Sequence, residues 1–143
     1  MDLKRNPRVF HDVFAQINTD TVIVPRPTRY SAYAGVTLSI AITVATGGIA
    51  LPEGAVLRWS GEASGSVPVP AAGPVSITSP GAIAIDLPAG GASRMARFAF
   101  VLEAGGVIIA RNSCDIAVYA RRDTARLPTI ATADAALASY AQG

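Results

Sequence analysis

The sequence predicts an all-β chain folded as a two-sheet antiparallel sandwich, and three observations support this prediction. Apolar and polar residues alternate along several short segments, which is the period of a half-buried strand. The 13 glycines and 10 prolines fall largely between these segments, where turns are needed. Half of the 143 residues are hydrophobic and only 15% are charged, so the chain can bury a core of its own.

A short segment with a helical pattern precedes the predicted strands. Its apolar residues recur at intervals of three and four, at Val9, Phe10, Val13, Phe14 and Ile17. Pro7 suits the first turn of a helix because its missing N–H needs no partner there. We therefore expect a short amphipathic helix or turn near residues 6–18.

The predicted strands follow between residues 21 and 120. The segment TVIV stops at Pro25, and the Pro-containing stretch after it cannot be a central strand. The clearest alternation runs over residues 36–44 and ends at two glycines. Leu57 and Trp59 belong to the next inward row. Residues 67–74 are rich in proline, which predicts an edge strand or a loop.

The second half of this region continues the alternation. Inward rows are predicted around Ile85 and around Phe98, and Gly105-Gly106 is typical of a hairpin turn. Asn112 and Ser113 interrupt the apolar row, which we interpret as a β-bulge. Six or seven short strands bounded by turn residues are typical of a sandwich.

The end of the sequence has a different pattern. Residues 121–128 are basic and polar like a linker, residues 129–132 are β-prone, and residues 134–142 are rich in helix formers before Gly143. One strand followed by one helix opens a βαβ unit. We therefore expect a short C-terminal βα tail, the truncated start of a following α/β module.

No catalytic, cofactor-binding or metal-binding residue is predicted. His11 is the single histidine and Cys114 the single cysteine, so the sequence contains no His pair, no disulfide framework and no thiolate metal site. The candidate carboxylates lie in separate strands or turns, at Asp20, Glu53, Glu62, Asp86, Glu103 and Asp115. The net charge of +2 and the lack of a basic stripe argue against a nucleic-acid partner, and no apolar run predicts a membrane span.

Three aromatic residues are candidate sugar contacts. Tyr30 and Tyr33 flank a turn-like stretch with arginines nearby, and Trp59 could offer a stacking platform. The alternative is structural. In that case the tyrosines pin a loop and Trp59 belongs to the core, as its inward row favours.

Three stretches resemble a known arrangement. Residues 2–25 resemble the segment where the (β/α)₈ barrel of family 2 glycoside hydrolases (β-galactosidase and β-glucuronidase relatives) gives way to a C-terminal module. Asp2, Arg5, Pro7 and Arg8 match its pattern, with Arg8 where lysine is common. Residues 27–48 and 111–122 resemble the first and last strands of that family's immunoglobulin-like accessory domain, where an aromatic often replaces Cys114. Residues 127–143 resemble a following α/β module.

This resemblance implies a domain organisation. Residues 1–20 would be a linker and the end of the preceding barrel, residues 21–120 the immunoglobulin-like sandwich, and residues 121–143 the start of the next module. The parent enzyme would hydrolyse β-glycosides with two glutamates on the barrel, so no catalytic residue transfers to this chain. The expected partners are other domains of the same chain, and a carbohydrate is a further candidate.

Three functional hypotheses follow from the sequence. The first is a non-catalytic accessory domain of a glycoside hydrolase. The second is an independent carbohydrate-binding module, and the third is a bacterial surface or adhesion domain with a structural role. The polar N-terminus has no signal-peptide pattern, so the signal of an exported, periplasmic or secreted parent would lie upstream.

Overall fold

A computed structural model describes residues 19–121 of the chain. The predicted N-terminal helix and C-terminal βα tail lie outside these residues. The described part contains strands and connecting turns, and none of it forms a helix that could cross a membrane. The strands are β1 (Thr21–Pro27), β2 (Ser31–Tyr33), β3 (Thr37–Thr46), β4 (Val56–Ser60), β5 (Gly65–Pro68), β6 (Ser76–Asp86), β7 (Arg94–Ala104) and β8 (Val107–Tyr119).

The eight strands form two sheets. A three-stranded sheet has the order β1-β3-β6, and a five-stranded sheet has the order β2-β8-β7-β4-β5. The all-β, antiparallel prediction is confirmed with one exception, because the short β2 pairs with β8 in parallel. This pairing arises because the chain moves from the first sheet to the second between β1 and β2 while running in one direction.

One hydrophobic core lies between the inner faces of the two sheets. The predicted inward rows of β3 and β7 are confirmed, since every second residue is buried along both strands. The largest fully buried side chains come from both sheets and include Ile40, Ile42, Leu57, Phe98, Phe100 and Ile116. Strand β5 occupies a sheet edge, as the prolines of that region predicted.

The predicted bulge at Asn112 and Ser113 is wrong. Asn112 lies opposite Phe100 in unbroken register, and the irregularity comes earlier in β8, across from Leu102 and Glu103. Asn112 fits among the apolar side chains because its polar atoms are bonded. Its Nδ2 donates to the carbonyl of Ile23 at 2.6 Å, and its Oδ1 accepts from the N–H of Ser113 at 2.7 Å.

The edge strands are short or contain proline. Strand β1 carries Pro25 and Pro27, β5 has four residues including Pro68, and β2 has three residues. Pro80 interrupts the long edge strand β6. Proline offers no N–H to an incoming strand, so these features hinder pairing with another chain.

The chain enters and leaves the fold at opposite ends. Thr19 to Thr21 share a hollow with Ile109, close to the start of β8. Strand β1 then runs alongside β8, where Asn112 binds Ile23, and β2 pairs with the last residues of β8 at Tyr119. The ten residue steps from Ile109 to Tyr119 span roughly 33 Å at the usual rise of an extended strand.

Candidate functional site

The two outer faces of the fold differ in chemistry. Residues that point outward from the five-stranded sheet include an exposed apolar group at one end and charged pairs elsewhere. The three-stranded sheet presents small neutral side chains over most of its outer face. The apolar end of the five-stranded sheet contains one of the sugar-contact candidates, Tyr33.

Tyr33 and Tyr119 form an exposed aromatic pair. They are direct partners in the β2–β8 register, and their ring centroids lie 6.3 Å apart with the planes inclined at 56°. Tyr33 is 59% exposed and Tyr119 is 49% exposed. Met95 is 66% exposed and lies opposite Ala117, diagonal to Tyr119. We name the group Tyr33, Tyr119, Met95 and Ala117 the tyrosine ledge.

An ion pair occupies the next outward row. Arg97 is the partner of Asp115, two residues along each strand from Met95 and Ala117. Its Nε and Nη2 donate to the two carboxylate oxygens at 2.7 and 2.8 Å. The hydrogen bond from Arg97 lowers the pKa of Asp115, and the same bond raises the pKa of Arg97. Both groups therefore remain charged around neutral pH.

Tyr30 lies beside the ledge, just before β2. Its side chain is 66% exposed, and its carbonyl accepts the N–H of Ala117 at 2.9 Å. The structure thus places Tyr30 and Tyr33 at the same edge of the five-stranded sheet. Whether these residues contact sugar stays a prediction.

Trp59 lies elsewhere. It belongs to β4, near the opposite edge of the same sheet, and points to the inner face beside the buried Phe100. The indole is half-buried against the core and covers Gly65 of β5. A groove of about 490 Å³ runs past it, lined by Arg58, Trp59, Ser60, Ser64, Gly65, Ser66 and Val101. Trp59 therefore cannot act together with the two tyrosines.

Sequence reasoning missed Tyr119 and Met95. The alternation of the final strand places Tyr119 outward, which is a local signal that the sequence contains. Its pairing with Tyr33 depends on the parallel contact between β2 and β8, which joins residues far apart in the chain. Residue spacing alone does not indicate that contact.

A second depression lies where the chain enters the fold. Its volume is about 550 Å³, and it is lined by Thr19, Asp20, Thr21, Ile49, Ala50, Pro52 and Ile109. Ile49 is 63% exposed there.

Most of the candidate carboxylates that the structure describes have structural partners. Glu62 binds Arg94 through both oxygens, Glu103 accepts from Arg58 at 2.5 Å, and Asp86 accepts from Thr37 at 2.6 Å. Within residues 19–121 no three His, Cys, Asp or Glu side chains are grouped to hold a metal ion. Cys114 is half-buried in the inner row, and its burial raises the pKa of the thiol to about 11.

Comparisons with known proteins bear on the fold alone. No protein-family model matches the chain, and no curated protein matches it. The alkylpurine DNA glycosylase AlkC of Pseudomonas fluorescens, solved bound to DNA containing an abasic site analogue, matches over 71% of this chain with a TM-score of 0.51 and 10% identity. The chain covers 31% of that glycosylase chain.

A second solved structure matches less well. The CARDB domain of a Pyrococcus furiosus protein, solved in complex with di-metal ions, matches over 71% of this chain and 92% of that domain, with a TM-score of 0.47 and 12% identity. At these identities the similarity concerns the path of the backbone. The glycosylase match therefore supports the fold of this chain and carries nothing about its function.

Proposed function

We propose that this chain is a non-catalytic accessory domain of immunoglobulin-like sandwich fold, a spacer within a multidomain glycoside hydrolase that acts on β-glycosides. The observation that carries the spacer role is the path of the chain, which enters beside Ile109 and leaves after Tyr119 at the other end. Modules attached at the two ends would be held roughly 33 Å apart along β8. The sequence resemblance to family 2 glycoside hydrolases supports the identity of the parent.

The outer face of the three-stranded sheet supports packing against a neighbouring domain. Its central rows join Val22 to Ala45 and Ile77, and Arg26 to Ala41 and Ala82. Ile77 is 76% exposed, although it lies in a strand. Arg26 is the one charged side chain of these rows, and the others are neutral, so a second domain that leaves Arg26 at its rim can approach this face at low desolvation cost.

The coding sequence around this chain tests the proposal. We expect a (β/α)₈ barrel with two catalytic glutamates upstream of the sandwich, and an α/β module downstream. Tandem copies of the same sandwich on both sides would contradict the proposal and favour a surface or adhesion protein.

A charged side chain introduced on the outer face of the three-stranded sheet, within the longer parent protein, tests whether a neighbouring domain packs there. Ala41 and Ala99 are half-buried alanines that point outward from β3 and β7, one on each sheet. We expect Ala41→Glu to loosen the domain contact and speed proteolysis between the sandwich and its neighbour. The matched control, Ala99→Glu, should leave the cleavage rate unchanged. Equal effects of the two variants would contradict packing through the three-stranded sheet.

A further inference from the structure

We propose that the tyrosine ledge is a binding surface for a neutral β-linked oligosaccharide, with one sugar ring stacked on Tyr33 and a neighbouring one on Tyr119. The side chains of the ledge and its rim indicate the ligand class. The β-linkage rests on the proposed function, because a parent that acts on β-glycosides would present such chains.

The ledge is apolar where the fold has no need for apolar side chains. The aromatic side chains of β7, Phe98 and Phe100, are fully buried in the core. Tyr33 and Tyr119 point the other way and are about half exposed, and Met95 extends the same surface. An exposed group of large apolar side chains is typical of a contact with another molecule.

The pairing of the two rings prepares the ledge for a ligand. Each tyrosine has the other as its cross-strand neighbour, and an inclined aromatic pair at this separation is attractive. The rings therefore support each other before a ligand arrives. A ligand that stacks on them loses less binding free energy to side-chain ordering.

The adjoining ion pair selects the kind of ligand. Arg97 keeps N–H donors beyond the two that bind Asp115, and each carboxylate oxygen of Asp115 has a further lone pair. The ligand should thus have an apolar face for the rings and groups that both donate and accept hydrogen bonds at its rim. A pyranose ring has both, in its C–H face and its hydroxyls.

Charge and hydrogen bonding argue against other occupants. The charges of Arg97 and Asp115 cancel within one bidentate pair, so the rim favours a neutral ligand over an anionic one. A proline-rich peptide could stack on tyrosines, but its prolines have no N–H to offer the Asp115 carboxylate. A sugar satisfies both members of the ion pair.

Calorimetric titration of the full chain with defined saccharides tests the proposal. The probes are cellotetraose, xylotetraose and a β-1,4-linked galactotetraose, with α-linked maltotetraose and a proline-rich decapeptide as comparisons. We expect saturable binding of at least one β-linked probe with a Kd of about 1 mM or lower. Binding of the peptide or the α-linked probe alone, or flat titrations with all probes, would overturn the proposal.

Variants localise the binding. Tyr33→Ala and Tyr119→Ala should each weaken binding about tenfold, since each removes one stacking face. Tyr33→Phe keeps that face and should retain most of the affinity, which separates stacking from loss of folding. Val107→Ala is the matched control, because Val107 is as exposed as Met95 and lies at the far end of β8. Its affinity should equal that of the unmodified chain.

Trp59 supplies an independent readout. It is the chain's single tryptophan and lies near the opposite edge of the sheet, so binding at the ledge should leave its fluorescence unchanged. A saturable change in Trp59 emission together with full affinity in Tyr33→Ala would place the ligand in the Trp59 groove and overturn the proposal. If no sugar binds, the proposed accessory role is not affected. The accessory role is contradicted instead when the flanking coding sequence contains no barrel and no α/β module.

Discussion

At the scale of single residues, the fold places a few side chains in environments that decide their chemistry. Cys114 lies in the inner row opposite Phe98, half-buried beside Asp115. Burial disfavours the thiolate, and the neighbouring carboxylate disfavours it further, so the pKa of the thiol rises to about 11. This cysteine therefore behaves as a small apolar residue rather than as a nucleophile.

We predict that Cys114 reacts slowly with alkylating reagents. Two pKa units remove about 99% of the thiolate at about pH 8, so iodoacetamide labelling should be about a hundredfold slower in the folded chain than in concentrated guanidinium. Mass spectrometry gives the rates. The raised pKa stabilises the fold while the thiol is protonated, and this contribution is lost as the pH rises towards about 11. Equal labelling rates in the folded chain and in guanidinium would contradict the burial of the Cys114 thiol.

We predict that Gly65→Ala destabilises the chain. A Cβ at Gly65 would collide with the indole of Trp59, which is held against the core, so the cost should be about 1–3 kcal/mol. Gly73→Ala is the matched control because its Cβ would meet open space, and its stability should change by less than about 1 kcal/mol. Chemical denaturation measures both values. If Gly65→Ala leaves the free energy of unfolding unchanged, the indole moves freely.

At the scale of strands, the sequence predicts what depends on local alternation. The inward rows of β3 and β7 follow from period-two patterns, and the Gly105-Gly106 hairpin follows from turn chemistry. The parallel β2–β8 pair was not predictable, because it depends on how two distant segments meet. The bulge predicted at Asn112 and Ser113 was wrong for a related reason. Its acceptor, the Ile23 carbonyl, belongs to the other sheet.

This inter-sheet hydrogen bond gives a second stability prediction. Asn112→Ala removes the donor to the Ile23 carbonyl and the acceptor of the Ser113 N–H, so we expect a loss of about 1–3 kcal/mol. Ser113→Ala retains its backbone N–H and should change stability by less than about 0.5 kcal/mol. Urea unfolding of both variants gives the comparison. If the two variants are equally stable, the Asn112 amide does not join the sheets.

The candidate site was predictable in part at this scale. Tyr30 and Tyr33 lie at one edge, and both belong to the same short stretch of the sequence. Tyr119 joins Tyr33 only through the sheet, and Trp59 is separated from both by the width of that sheet. The residues of one sequence stretch were thus identified together, while residues brought close by distant pairing were not.

At the scale of the whole molecule, one core couples all described strands. Fully buried side chains from β3, β6, β7 and β8 belong to a single cluster that spans both sheets. A fold with one shared core unfolds cooperatively, since neither sheet can keep its inner face buried alone. The differences between the two outer faces are then available for contacts without weakening that core.

We predict a single thermal unfolding transition. Trp59 fluorescence reports on one end of the five-stranded sheet, and far-UV circular dichroism reports on all strands. The two midpoints should coincide, because loss of either sheet exposes the shared core. The Asn112→Ala variant serves as the control, since it should lower both midpoints together. Two separated transitions would contradict a shared core.

The path of the chain also has a mechanical consequence. If flanking modules pull on the two ends of the fold, the force acts along β1 and β8 in opposite directions. Strand β2 and the end of β8 lie parallel, so the pull would shear Ser31–Tyr33 past their partners and load the hydrogen bonds together. The Asn112 contact to Ile23 would be loaded in the same direction. Tension on the two ends would therefore meet several bonds at once, and the fold would resist stretching.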